Sequence, residues 1–522
     1  MSPALAHRGA PLLAVIDAGS RAVRLAVAEA HPGRPLRRLE TLSAPVALGV
    51  DAAGGGRIRT TTTEAVVSIL HDFAAVLQGY GLSLGSCRAV ATTAIREARN
   101  RDVFLDRVAQ RTGLRIEVIE AVEEARLLHQ LLGRLLAPHY QQGRNLILAL
   151  GGGGTQIIVQ AAGELVLAES QRFGTLSLHG RMPNERSSVA TARCFLAKAA
   201  HGLGRLTDLS RVRTVVGLNR ELLELAEKLT RGRSDEVGLH LDRKQVNRLA
   251  ALTEDRSADE LAARTGLDAV TAEVGRMALE EVMAFWRLAE ATSLTLCRAT
   301  LVDGLLFEAE RRHTAPELVA HDLAAQGEEG AWALARRFHA DEAHAAQVRS
   351  LALHLFDALR GSGGLSEPSR RLLGVAAIVH DIGVFVRSSD HEVHSAYLVR
   401  ASEIMGLTRA DRWAVATMTR HHRGPVSYSD FAVGELTSES ERVELLKLTA
   451  ILRLAEALDA DHQQRVGQLR VEVDSESMHV CAETSSGDRE SFLELGRAFR
   501  LQADLFEEVF GVMPVLTEVL PG

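Results

Sequence analysis

The sequence predicts two related α/β lobes, followed by an all-helical domain with a small α+β segment at its C-terminal end. The first observation is the stretch from Leu12 to Ala28, which reads as two apolar strands around a polar turn at Gly19 and Ser20. The second is Leu146–Gln160, which repeats the order of strand, glycine-rich turn and strand. The third is the region from Ala343 to about Asp461, where apolar residues recur at helical spacing. Two copies of one hairpin pattern indicate two lobes that face each other across a cleft.

Helical patterns fill the chain between and after the two hairpins. Amphipathic stretches occur between the copies, at Thr62–Leu77 and Arg101–Thr112. After the second copy, residues 188–310 are mostly helical in pattern and include a long run from Ala269 to Ala289. We therefore expect each hairpin to lie in a sheet that is covered by helices.

The chain divides into four predicted domains. The helical pattern weakens at 311–340, a polar and glycine-containing stretch that we interpret as a linker. Near the C-terminal end, alternating segments at Leu469–Val473 and Met478–Ala482 predict strands, and Leu493–Phe510 predicts a final helix. The expected domains are lobe I, lobe II, a helical domain and an α+β cap, at residues 1–135, 136–312, 320–462 and 463–522.

Composition limits the class of protein. The chain has 522 residues, of which 46% are hydrophobic and 24% charged, values that are ordinary for globular domains. It contains no apolar run of about 18 residues, which excludes a membrane span, and its N-terminal segment lacks a signal-peptide pattern, so we expect a cytoplasmic protein. The net charge of −7 and the lack of a long basic run argue against a nucleic-acid partner. The four cysteines form no CxxC pair and are expected to be buried thiols.

Both predicted turns are suited to binding phosphate. A tight glycine turn between strands exposes consecutive backbone N–H groups that can hold phosphate oxygens, and glycine permits a close approach. Gly151–Gly154, followed by Thr155, fits this description. Asp17, just before Gly19 and Ser20, adds a ligand for the same phosphate chain or for a metal. A hairpin turn without a ligand is the alternative for either turn alone, but two such turns on matched hairpins favour a phosphate site.

Four segments together carry a family resemblance: IDAGSRAVRL, AVATTAIREARN, IEVIEAVEEARLL and LALGGGGTQ. In this order they resemble the exopolyphosphatase/guanosine pentaphosphate phosphohydrolase (Ppx/GppA) family, which belongs to the actin-like ATPase superfamily (ASKHA) with a ribonuclease H-like core. The resemblance extends over nearly the whole chain, since many long members carry a C-terminal helical domain of the HD type. It implies release of terminal phosphate from polyphosphate or from a guanosine penta- or tetraphosphate such as pppGpp, with Mg²⁺ or Mn²⁺ in the interlobe cleft. It also implies a homodimer.

The resemblance assigns roles to individual residues. It places Glu124, the second acid of EEAR, at the catalytic base that orients the attacking water. It places the phosphate contacts at Asp17, Gly19, Ser20, Arg96, Gly151, Gly152, Gly153, Gly154 and Thr155. These residue types suit the chemistry, because hydrolysis of a phosphoanhydride needs a positioned phosphate, cations against the developing charge and a group that orients water. A solvated helix acid, a surface ion pair and a strand-end cap are the structural alternatives for Glu124, Arg96 and Asp17.

Several positions depart from the family pattern. Ala149 stands where the family has an acid before the second glycine loop, and Gly154 and Gln156 replace the Ser and Glu of GGGSTE. Mg²⁺ prefers oxygen ligands and commonly carboxylates, so these changes should weaken metal binding. Gln156 keeps a catalytic role in this interpretation, because a neutral glutamine can orient water. Arg21, beside the first loop, can replace part of the charge of a cation.

Two hypotheses for the cleft therefore stay open at this stage. In the first, the cleft is an altered but working phosphatase site. In the second, the protein binds polyphosphate or a guanosine phosphate without efficient turnover and serves a regulatory role.

A separate constellation of metal-ligand type lies in the predicted helical domain. The pair His380-Asp381 follows an apolar run, and further histidines occur on both sides of it, at His344, His391, His394, His421 and His422. This pattern resembles the HD superfamily of metal-dependent phosphohydrolases, in which His and Asp from separate helices bind one or two divalent cations. The resemblance implies a divalent metal bound by His344, His380, Asp381 and Glu456. A structural His–Asp pair without metal is the alternative, and a phosphoester-cleaving HD phosphohydrolase is the third hypothesis for function.

Overall fold

A computed structural model of the chain describes residues 10–31, 34, 36–137, 140, 142–171, 173–175, 185–254, 256–361, 363–432, 438–474, 477–484 and 489–519. The chain forms two compact units, Met1–Val319 and Ala320–Gly522, which we call unit 1 and unit 2. The further domain boundaries expected inside each unit, after residues 135 and 462, stay predictions.

The first sheet of unit 1 has five strands in the order β3-β2-β1-β4-β5. These strands are β1 (Leu12–Ala18), β2 (Ala22–Glu29), β3 (Arg37–Pro45), β4 (Arg88–Ala91) and β5 (Glu117–Val118). The helices of this part of the chain are α1 (Leu48–Gly55), α2 (Thr60–Gly79), α3 (Thr93–Arg96), α4 (Arg101–Thr112) and α5 (Ala121–Leu135).

The second sheet has seven strands in the order β10-β11-β12-β9-β6-β7-β8. These strands are β6 (Arg144–Leu150), β7 (Thr155–Ala161), β8 (Glu164–Gln171), β9 (Thr214–Leu218), β10 (Arg233–Ser234), β11 (Gly238–Asp242) and β12 (Ser293–Cys297). The accompanying helices are α6 (Glu185–Leu206), α7 (Arg220–Leu229), α8 (Arg243–Thr253), α9 (Ala258–Thr265), α10 (Ala269–Trp286) and α11 (Leu301–Thr314).

The two sheets repeat one topology. In each, a central strand, β1 or β6, pairs antiparallel with the next strand along the chain and parallel with a later strand, β4 or β9. The parallel pairing continues into β5 in the first sheet and into β12 in the second. Both predicted hairpins are therefore present, and their turns, at residues 19–21 and 151–154, occupy equivalent positions.

The central strand β1 is buried on both faces. Ile16 and Ala18 face one hydrophobic cluster, whereas Val15 belongs to a second cluster that contains Leu127 of α5 and Leu305 of α11. Successive side chains of a strand point to opposite faces, so a strand covered on both sides is apolar throughout. Helices cover the faces of the sheet, which leaves the ends of the strands and their turns as the place where a ligand can bind.

Unit 2 begins with helices that pack around one hydrophobic cluster. These helices are α12 (Pro316–Arg337), α13 (Glu342–Leu359), α14 (Glu367–Val379), α15 (His391–Ala401), α16 (Arg409–Arg420), α17 (Tyr428–Ala432) and α18 (Glu439–Ala457). The remaining elements are β13 (Val466–Val473), β14 (Ser477–Thr484), α19 (Arg489–Leu501), α20 (Asp504–Phe510) and β15 (Met513–Val519).

The C-terminal strands form a sheet in the order β13-β14-β15. The strands expected at 469–473 and 478–482 lie inside β13 and β14. The single helix expected at Leu493–Phe510 is instead two helices, because the chain leaves the helical path between Leu501 and Asp504. Strand β15, which pairs parallel with β14, was not predicted.

The stretch at 311–340, which was expected to link two domains, contains the boundary between unit 1 and unit 2, after Val319. It is not the loop that its composition indicated. Most of this stretch is helical, in the end of α11 and the whole of α12. Its two internal glycines gave the impression of a loop, but a Cβ on Gly330 would lie 3.0 Å from Cγ2 of Ile404, so a small residue is needed where the helix passes close to its neighbour. Pro316 opens α12 at a position where its missing N–H carries no cost.

Two expectations from composition have a structural outcome. No helix in the described part of the chain has the length and apolar character needed to cross a membrane. All four cysteines are free thiols, but only Cys297 is buried, and Cys194 is exposed, so the expectation of buried thiols is wrong for most of them. The cytoplasmic location and the homodimer stay predictions.

Candidate functional site

A cavity of about 200 Å³ lies in unit 1 at the ends of the parallel strands of both sheets. Its walls are the two glycine turns and the residues that follow β4, β9 and β12, among them Thr93, Asn219 and Thr300. Ligands bind at the carboxyl ends of parallel strands because loops and helix N-termini converge there. The sequence-predicted residues that line this cavity are Asp17, Gly19, Ser20, Glu124, Gly151, Gly152, Gly153 and Gly154.

Asp17 is buried near the end of β1, and only one of its carboxylate oxygens has a hydrogen-bond partner within the part of the chain that the structure describes. Arg24, its register partner across the hairpin, donates to Oδ2 at 3.1 Å. The other oxygen, Oδ1, has no hydrogen-bond partner among the described residues. Burial raises the pKa of Asp17, although the charge of Arg24 acts in the opposite direction. A buried carboxylate oxygen in a cavity wall is suited to a cation or an ordered water.

The two glycine turns approach each other across the cavity. A Cβ added to Gly153 would lie 3.2 Å from Cγ2 of Thr93 and 3.8 Å from Oγ of Ser20. Glycine is favoured at this position because a larger side chain would fill the space between the turns. A hydrogen bond of 3.0 Å from the N–H of Gly151 to the carbonyl of Gly154 closes the second turn. The turns of both sheets thus border one space.

The first turn of α5 carries two adjacent acids in different surroundings. Glu123 accepts hydrogen bonds from Nε and Nη2 of Arg126, at 2.6 and 2.7 Å. Arg126 is fully buried and also pairs with Glu308 of α11. Glu124, in contrast, lines the cavity. Glu123 is therefore a structural acid, whereas Glu124 is positioned to reach a ligand.

Thr155 and Gln156 lie in β7 behind the second turn, and neither is among the described residues that line the cavity. Oγ1 of Thr155 donates to Oε2 of Glu281 in α10 at 2.8 Å. Gln156 is 2% exposed and pairs in register with Ala149, which does line the cavity. Neither side chain has the access that its predicted role requires, at the phosphate for Thr155 and at the attacking water for Gln156.

Glu281 is a buried carboxyl group that sequence reasoning missed. It is fully buried, and its Oε1 has no hydrogen-bond partner among the described residues. Burial raises the pKa of Glu281 to about 8, so the group is mostly protonated at neutral pH. It lies in α10 directly after Glu280, and nothing in the sequence distinguished the buried acid from its neighbour.

Arg96 is directed at neighbouring residues and does not line the cavity. Its Nη1 donates to the carbonyl of Ile119 at 2.8 Å, and its Nη2 donates to Oγ1 of Thr93 at 3.1 Å. Thr93 is itself part of the cavity wall. Arg96 therefore holds Thr93 in place, and the direct phosphate contact predicted for Arg96 stays a prediction.

The cavity wall contains three arginines, and each pairs with a carboxylate. The pairs are Arg21–Glu221, Arg24–Asp17 and Arg220–Glu224. Sequence reasoning also missed Asn219, whose side chain accepts from the N–H of Leu222 at 2.8 Å and donates to the carbonyl of Leu150 at 2.9 Å. An asparagine directly before a helical pattern is the signal that could have identified this N-cap.

Unit 2 brings Asp381 and four histidines into two groups that could each hold a metal ion. The groups are His344, His380 and Asp381, and Asp381, His391 and His422. Nε2 of His344 and His380 are 3.1 Å apart, and Nε2 of His391 is 2.9 Å from Oδ1 of Asp381. Ligand atoms about 2.1 Å from a metal lie about 3.0–3.4 Å apart in octahedral or tetrahedral geometry. The closest pairs have about this spacing, whereas the distances from Asp381 to His422, His380 and His344 are longer, at 3.5, 3.6 and 3.9 Å. Each group could hold one cation after small side-chain movements, with Asp381 shared between the groups.

Each of three histidines is oriented by its second ring nitrogen. Nδ1 of His380, His391 and His422 donates to the backbone carbonyl three residues earlier, at 2.8, 2.9 and 2.8 Å. A carbonyl oxygen can only accept, so Nδ1 of each ring carries a proton, and Nε2 is the atom that faces the cluster. Nε2 of His391 and His422 lie 3.4 Å apart. Once deprotonated, each Nε2 can bind a divalent cation.

The ionisation of these groups suits metal binding. Burial lowers the pKa of His422 to about 3, so its ring is neutral at neutral pH. Although burial has the opposite effect, the charge of His380 and the hydrogen bond from His391 hold the pKa of Asp381 well below its usual range. Burial also lowers the pKa of His380, whereas, against the effect of burial, hydrogen bonds to Asp459 and Asp381 raise the pKa of His344 and His391. The set therefore offers imidazole nitrogens around one ionised carboxylate, the donor types that divalent transition metals bind.

Asp459, not Glu456, contacts this cluster directly. Its Oδ2 accepts from Nδ1 of His344 at 2.9 Å, and its Oδ1 accepts from the N–H of Gln464 at 2.7 Å. Glu456 belongs to neither group. The resemblance to the HD pattern placed the late acid at Glu456, but helix α18 ends at Ala457, and Asp459 follows just beyond its end. The late acid of the cluster is therefore a carboxylate that orients His344.

Two of the remaining histidines lie outside both groups. Nε2 of His421 is 3.1 Å from Oδ2 of Asp430, and His394 belongs to neither group. His462, which sequence reasoning missed, stacks on His344 with ring centroids 3.7 Å apart. The histidine-rich sequence thus divides into a buried cluster around Asp381 and residues with separate contacts.

Two family models match the chain in sequence order. The first, described as the Ppx/GppA phosphatase family, matches residues 27–264, and the second, described as Ppx/GppA phosphatase domain III, matches residues 328–493. The chain belongs to the Ppx/GppA phosphatase family. The first match begins within β2, after the first glycine turn, and includes the second glycine turn, whereas the second match covers the histidine cluster of unit 2.

Two curated relatives of this Ppx/GppA chain share one name with each other. A guanosine-5'-triphosphate,3'-diphosphate pyrophosphatase of Vibrio parahaemolyticus is 27% identical over 453 residues, which are 85% of this chain and 87% of the relative. The protein of that name from Aliivibrio fischeri strain MJ11 is 28% identical over 456 residues, which are 85% of this chain and 86% of the relative. The similarity therefore extends over most of both chains.

Solved structures of Ppx/GppA proteins share the fold. The Aquifex aeolicus family member is 23% identical and matches with a TM-score of 0.50, covering 58% of this chain and 99% of its own. An exopolyphosphatase from Cytophaga hutchinsonii is 20% identical and matches with a TM-score of 0.51, covering 57% of this chain and 98% of its own. These matches support the two-lobed actin-like fold that the resemblance implied for the α/β part of the chain.

Proposed function

We propose that this Ppx/GppA chain hydrolyses a terminal phosphoanhydride bond in the cavity of unit 1, and that pppGpp is its substrate. The observation that carries the proposal is the convergence of both glycine turns with Asp17 and Glu124 on one cavity. The pyrophosphatase names of the relatives favour pppGpp. Inorganic polyphosphate is the second substrate of the same class, because its terminal bond is also a phosphoanhydride.

The phosphate chain binds between the two turns in this proposal. Backbone N–H groups of glycine turns hold phosphate oxygens, and the hydroxyls of Ser20 and Thr93 add donors to the same wall. Their positions are fixed before the substrate arrives, since Arg96 holds Thr93 and the second turn is closed on itself. Such preorganisation is the main contribution of a protein to phosphoryl transfer.

Asp17 is the residue best suited to hold Mg²⁺ or Mn²⁺. Its buried Oδ1 lines the cavity without a hydrogen-bond partner among the described residues, and hard divalent cations prefer carboxylate oxygen. When bound, the cation would supply positive charge against the charge that develops on the phosphate oxygens. Ala149 offers no second carboxylate at its place in the wall, so we propose weaker metal binding and slower turnover than an acid there would give.

Glu124 is the general base in this proposal. It occupies the first turn of α5 and faces the cavity, whereas the neighbouring Glu123 is held by Arg126. A carboxylate in this place can orient the attacking water and accept its proton as the phosphorus–oxygen bond forms. Gln156 is buried behind the turn, so we assign it no catalytic part.

Phosphate release by the purified full chain tests the proposal. Wild-type protein and the His380→Ala variant are incubated with Mg²⁺ or Mn²⁺ and either pppGpp or long-chain polyphosphate. We expect equal release of phosphate from pppGpp by both proteins, because the histidine cluster is not part of the cavity. Release from polyphosphate alone would overturn the choice of substrate. Tight binding of either compound without release would support the alternative of a regulatory binding protein.

A second candidate function concerns unit 2. We propose that the cluster around Asp381 binds divalent metal and that domain III is an HD-like phosphohydrolase acting on a phosphoester. The observation that favours it is the pair of three-residue groups that share Asp381 and direct their Nε2 atoms toward one another. A bound divalent metal would supply an activated water and polarise a phosphoryl oxygen. Asp381, His344, His380, His391 and His422 would hold it, with Asp459 orienting His344.

Metal analysis tests this second function. Full chain purified without chelator is compared with His380→Ala and, as a matched control, with His394→Ala, which alters a histidine outside both groups. We expect bound Zn²⁺, Mn²⁺ or Fe²⁺ in wild type and His394→Ala, and loss of most of it in His380→Ala. Hydrolysis of bis(p-nitrophenyl) phosphate should follow the metal content. Equal metal content in all three proteins would overturn the assignment.

A further inference from the structure

We propose that Arg21 is a ligand of the substrate's phosphate chain that Glu221 masks in the free protein, and that an incoming phosphate chain displaces Glu221. The inference deepens the function proposed above and rests on it, since it needs a phosphate chain in the cavity of unit 1. It adds a binding residue from the first sheet and a masking residue from the second, beyond the residues already discussed.

The ion pair joins the two sheets of unit 1. Arg21 belongs to the turn between β1 and β2, and Glu221 belongs to the first turn of α7, which follows β9. Nη1 of Arg21 donates to Oε1 of Glu221, and both side chains line the cavity. The side chains are 31% and 22% exposed, so solvent and ligand can reach both groups. The pair therefore lies across the space where the phosphate chain is proposed to bind.

The backbone at both ends of the pair is held in place. The N–H of Val46 donates to the carbonyl of Arg21 at 2.9 Å, and the N–H of Gly49 donates to the carbonyl of Ser20 at 2.7 Å. On the other side, a Cβ on Gly275 of α10 would lie 2.7 Å from the carbonyl oxygen of Glu221, so α10 packs directly against the first turn of α7. Because both backbone segments are held by their neighbours, Arg21 can exchange Glu221 for phosphate only by movement of the two side chains.

The charges of the cavity require such an exchange. Each arginine of the wall is already paired with a carboxylate, whereas a phosphate chain brings several negative charges. Arg24 pairs with Asp17, which is buried. Arg220 pairs with Glu224, which is not among the described residues of the cavity wall. Arg21 is the arginine whose partner is a partly exposed carboxylate within the cavity itself.

The exchange is favourable on general grounds. Ion pairs between partly exposed groups contribute little, because water competes for both charges. An arginine bound to phosphate forms charge-assisted, two-pronged hydrogen bonds, which are among the strongest in proteins. After displacement Glu221 remains in the first turn of α7, where the helix dipole stabilises a negative charge. The free energy lost when Glu221 separates from Arg21 is therefore smaller than the free energy gained when Arg21 binds phosphate.

Calorimetric titration with inorganic tripolyphosphate and Mg²⁺ tests the inference. All proteins are full-length and carry Glu124→Gln, so that the ligand is not consumed. Removal of the mask by Glu221→Gln should tighten binding about two- to fivefold, as expected for the loss of one exposed ion pair. Arg21→Ala should weaken binding about tenfold, the effect of one charge-assisted contact. In the double variant, Glu221→Gln should not tighten binding relative to Arg21→Ala alone, because the arginine that Glu221 pairs with is absent.

The matched control is Glu227→Gln, which removes an equal charge from the same helix at a residue that pairs with Arg298 outside the cavity. It should leave the Kd unchanged within about twofold. If Glu221→Gln also tightens binding in the Arg21→Ala background, Glu221 acts by simple charge repulsion of the ligand. That result would overturn the proposal that Glu221 masks Arg21. Equal Kd values in all five proteins would overturn the inference but leave the proposed function standing. If none of the proteins binds tripolyphosphate, the proposed function fails together with the inference.

Discussion

Arg24 donates to Oδ2 of Asp17 directly across the β1–β2 hairpin, and the second oxygen of that buried carboxylate remains without a partner among the described residues. The hairpin thus fixes the carboxylate by one oxygen and presents the other to the cavity. This arrangement is the structural basis for assigning Asp17 to a divalent cation.

Asp17→Asn should raise the Mg²⁺ concentration needed for half-maximal phosphate release at least about tenfold, because an amide oxygen is a weaker ligand than a carboxylate. The measurement is phosphate release from pppGpp over a range of Mg²⁺ concentrations. Asp102→Asn is the control, since that side chain is 84% exposed and pairs only with the neighbouring Arg101 among the contacts described. An unchanged Mg²⁺ requirement in Asp17→Asn would remove Asp17 from the metal site.

Ala149→Asp should lower the Mg²⁺ requirement by about three- to tenfold, because it adds a carboxylate to the cavity wall. The paired variant is Gln156→Glu, which places its acid at a position that is 2% exposed and away from the wall. That change should bring no gain in activity and should lower the free energy of unfolding by about 1–3 kcal/mol, the cost of a buried acid. A lower Mg²⁺ requirement in Gln156→Glu but not in Ala149→Asp would contradict the placement of these two residues.

Glu281 gives a prediction for stability as a function of pH. Burial raises its folded pKa to about 8, so the folded chain holds a proton that the unfolded chain has lost above its ordinary pKa of 4.5. The contribution of Glu281 to stability is therefore fully present below that ordinary pKa and is lost as the pH rises toward 8, by up to about 1.4 kcal/mol per pH unit.

Glu281→Gln removes this dependence while keeping a neutral partner for Thr155. Differential scanning calorimetry at pH 6 and pH 8 should show that the Tm of Glu281→Gln, relative to wild type, is higher at pH 8 than at pH 6. Comparing the two proteins cancels the titration of all other groups. A Tm difference that does not change with pH would mean that Glu281 is ionised in the folded chain.

Asp459 and Glu456 can be separated by their effects on metal binding. Asp459→Asn should weaken metal binding about 10- to 100-fold, because it replaces the carboxylate that orients His344. Glu456→Gln should change it less than about threefold, since Glu456 belongs to neither ligand group. Competition with a metal-binding dye measures both affinities on the full chain. A larger loss of metal affinity in Glu456→Gln than in Asp459→Asn would show that Glu456 is the acid that supports the metal site.

Much of the fold could be predicted because its signals are local. The hairpins around Gly19 and Gly151 follow from short apolar strands that flank polar or glycine-rich turns, and the structure contains both. The helical structure of the stretch at 311–340 was not predicted, for a reason that is not local. A small residue is needed at Gly330 because Ile404, in the connection between α15 and α16, lies close to it, and sequence spacing cannot reveal this contact.

The candidate sites show the same limit. Residues placed by the turns themselves, such as Asp17 and Ser20, reach the cavity as expected. Arg96 is a long side chain whose direction is decided by the carbonyl of Ile119, a contact between distant parts of the chain. Asp459 lies beyond the end of α18, where helical periodicity no longer indicates which acid faces inward.

Replacing Glu124 is the most direct test of phosphoanhydride hydrolysis in the cavity of unit 1. Phosphate release from pppGpp is measured for wild type, Glu124→Gln and Glu123→Gln, neighbours in the first turn of α5. Loss of the general base should lower kcat by about 10²–10⁴ in Glu124→Gln, with unchanged thermal unfolding. Glu123→Gln should lower the Tm, because buried Arg126 loses a partner, but it should retain turnover where it is folded. Wild-type turnover in Glu124→Gln would contradict the account.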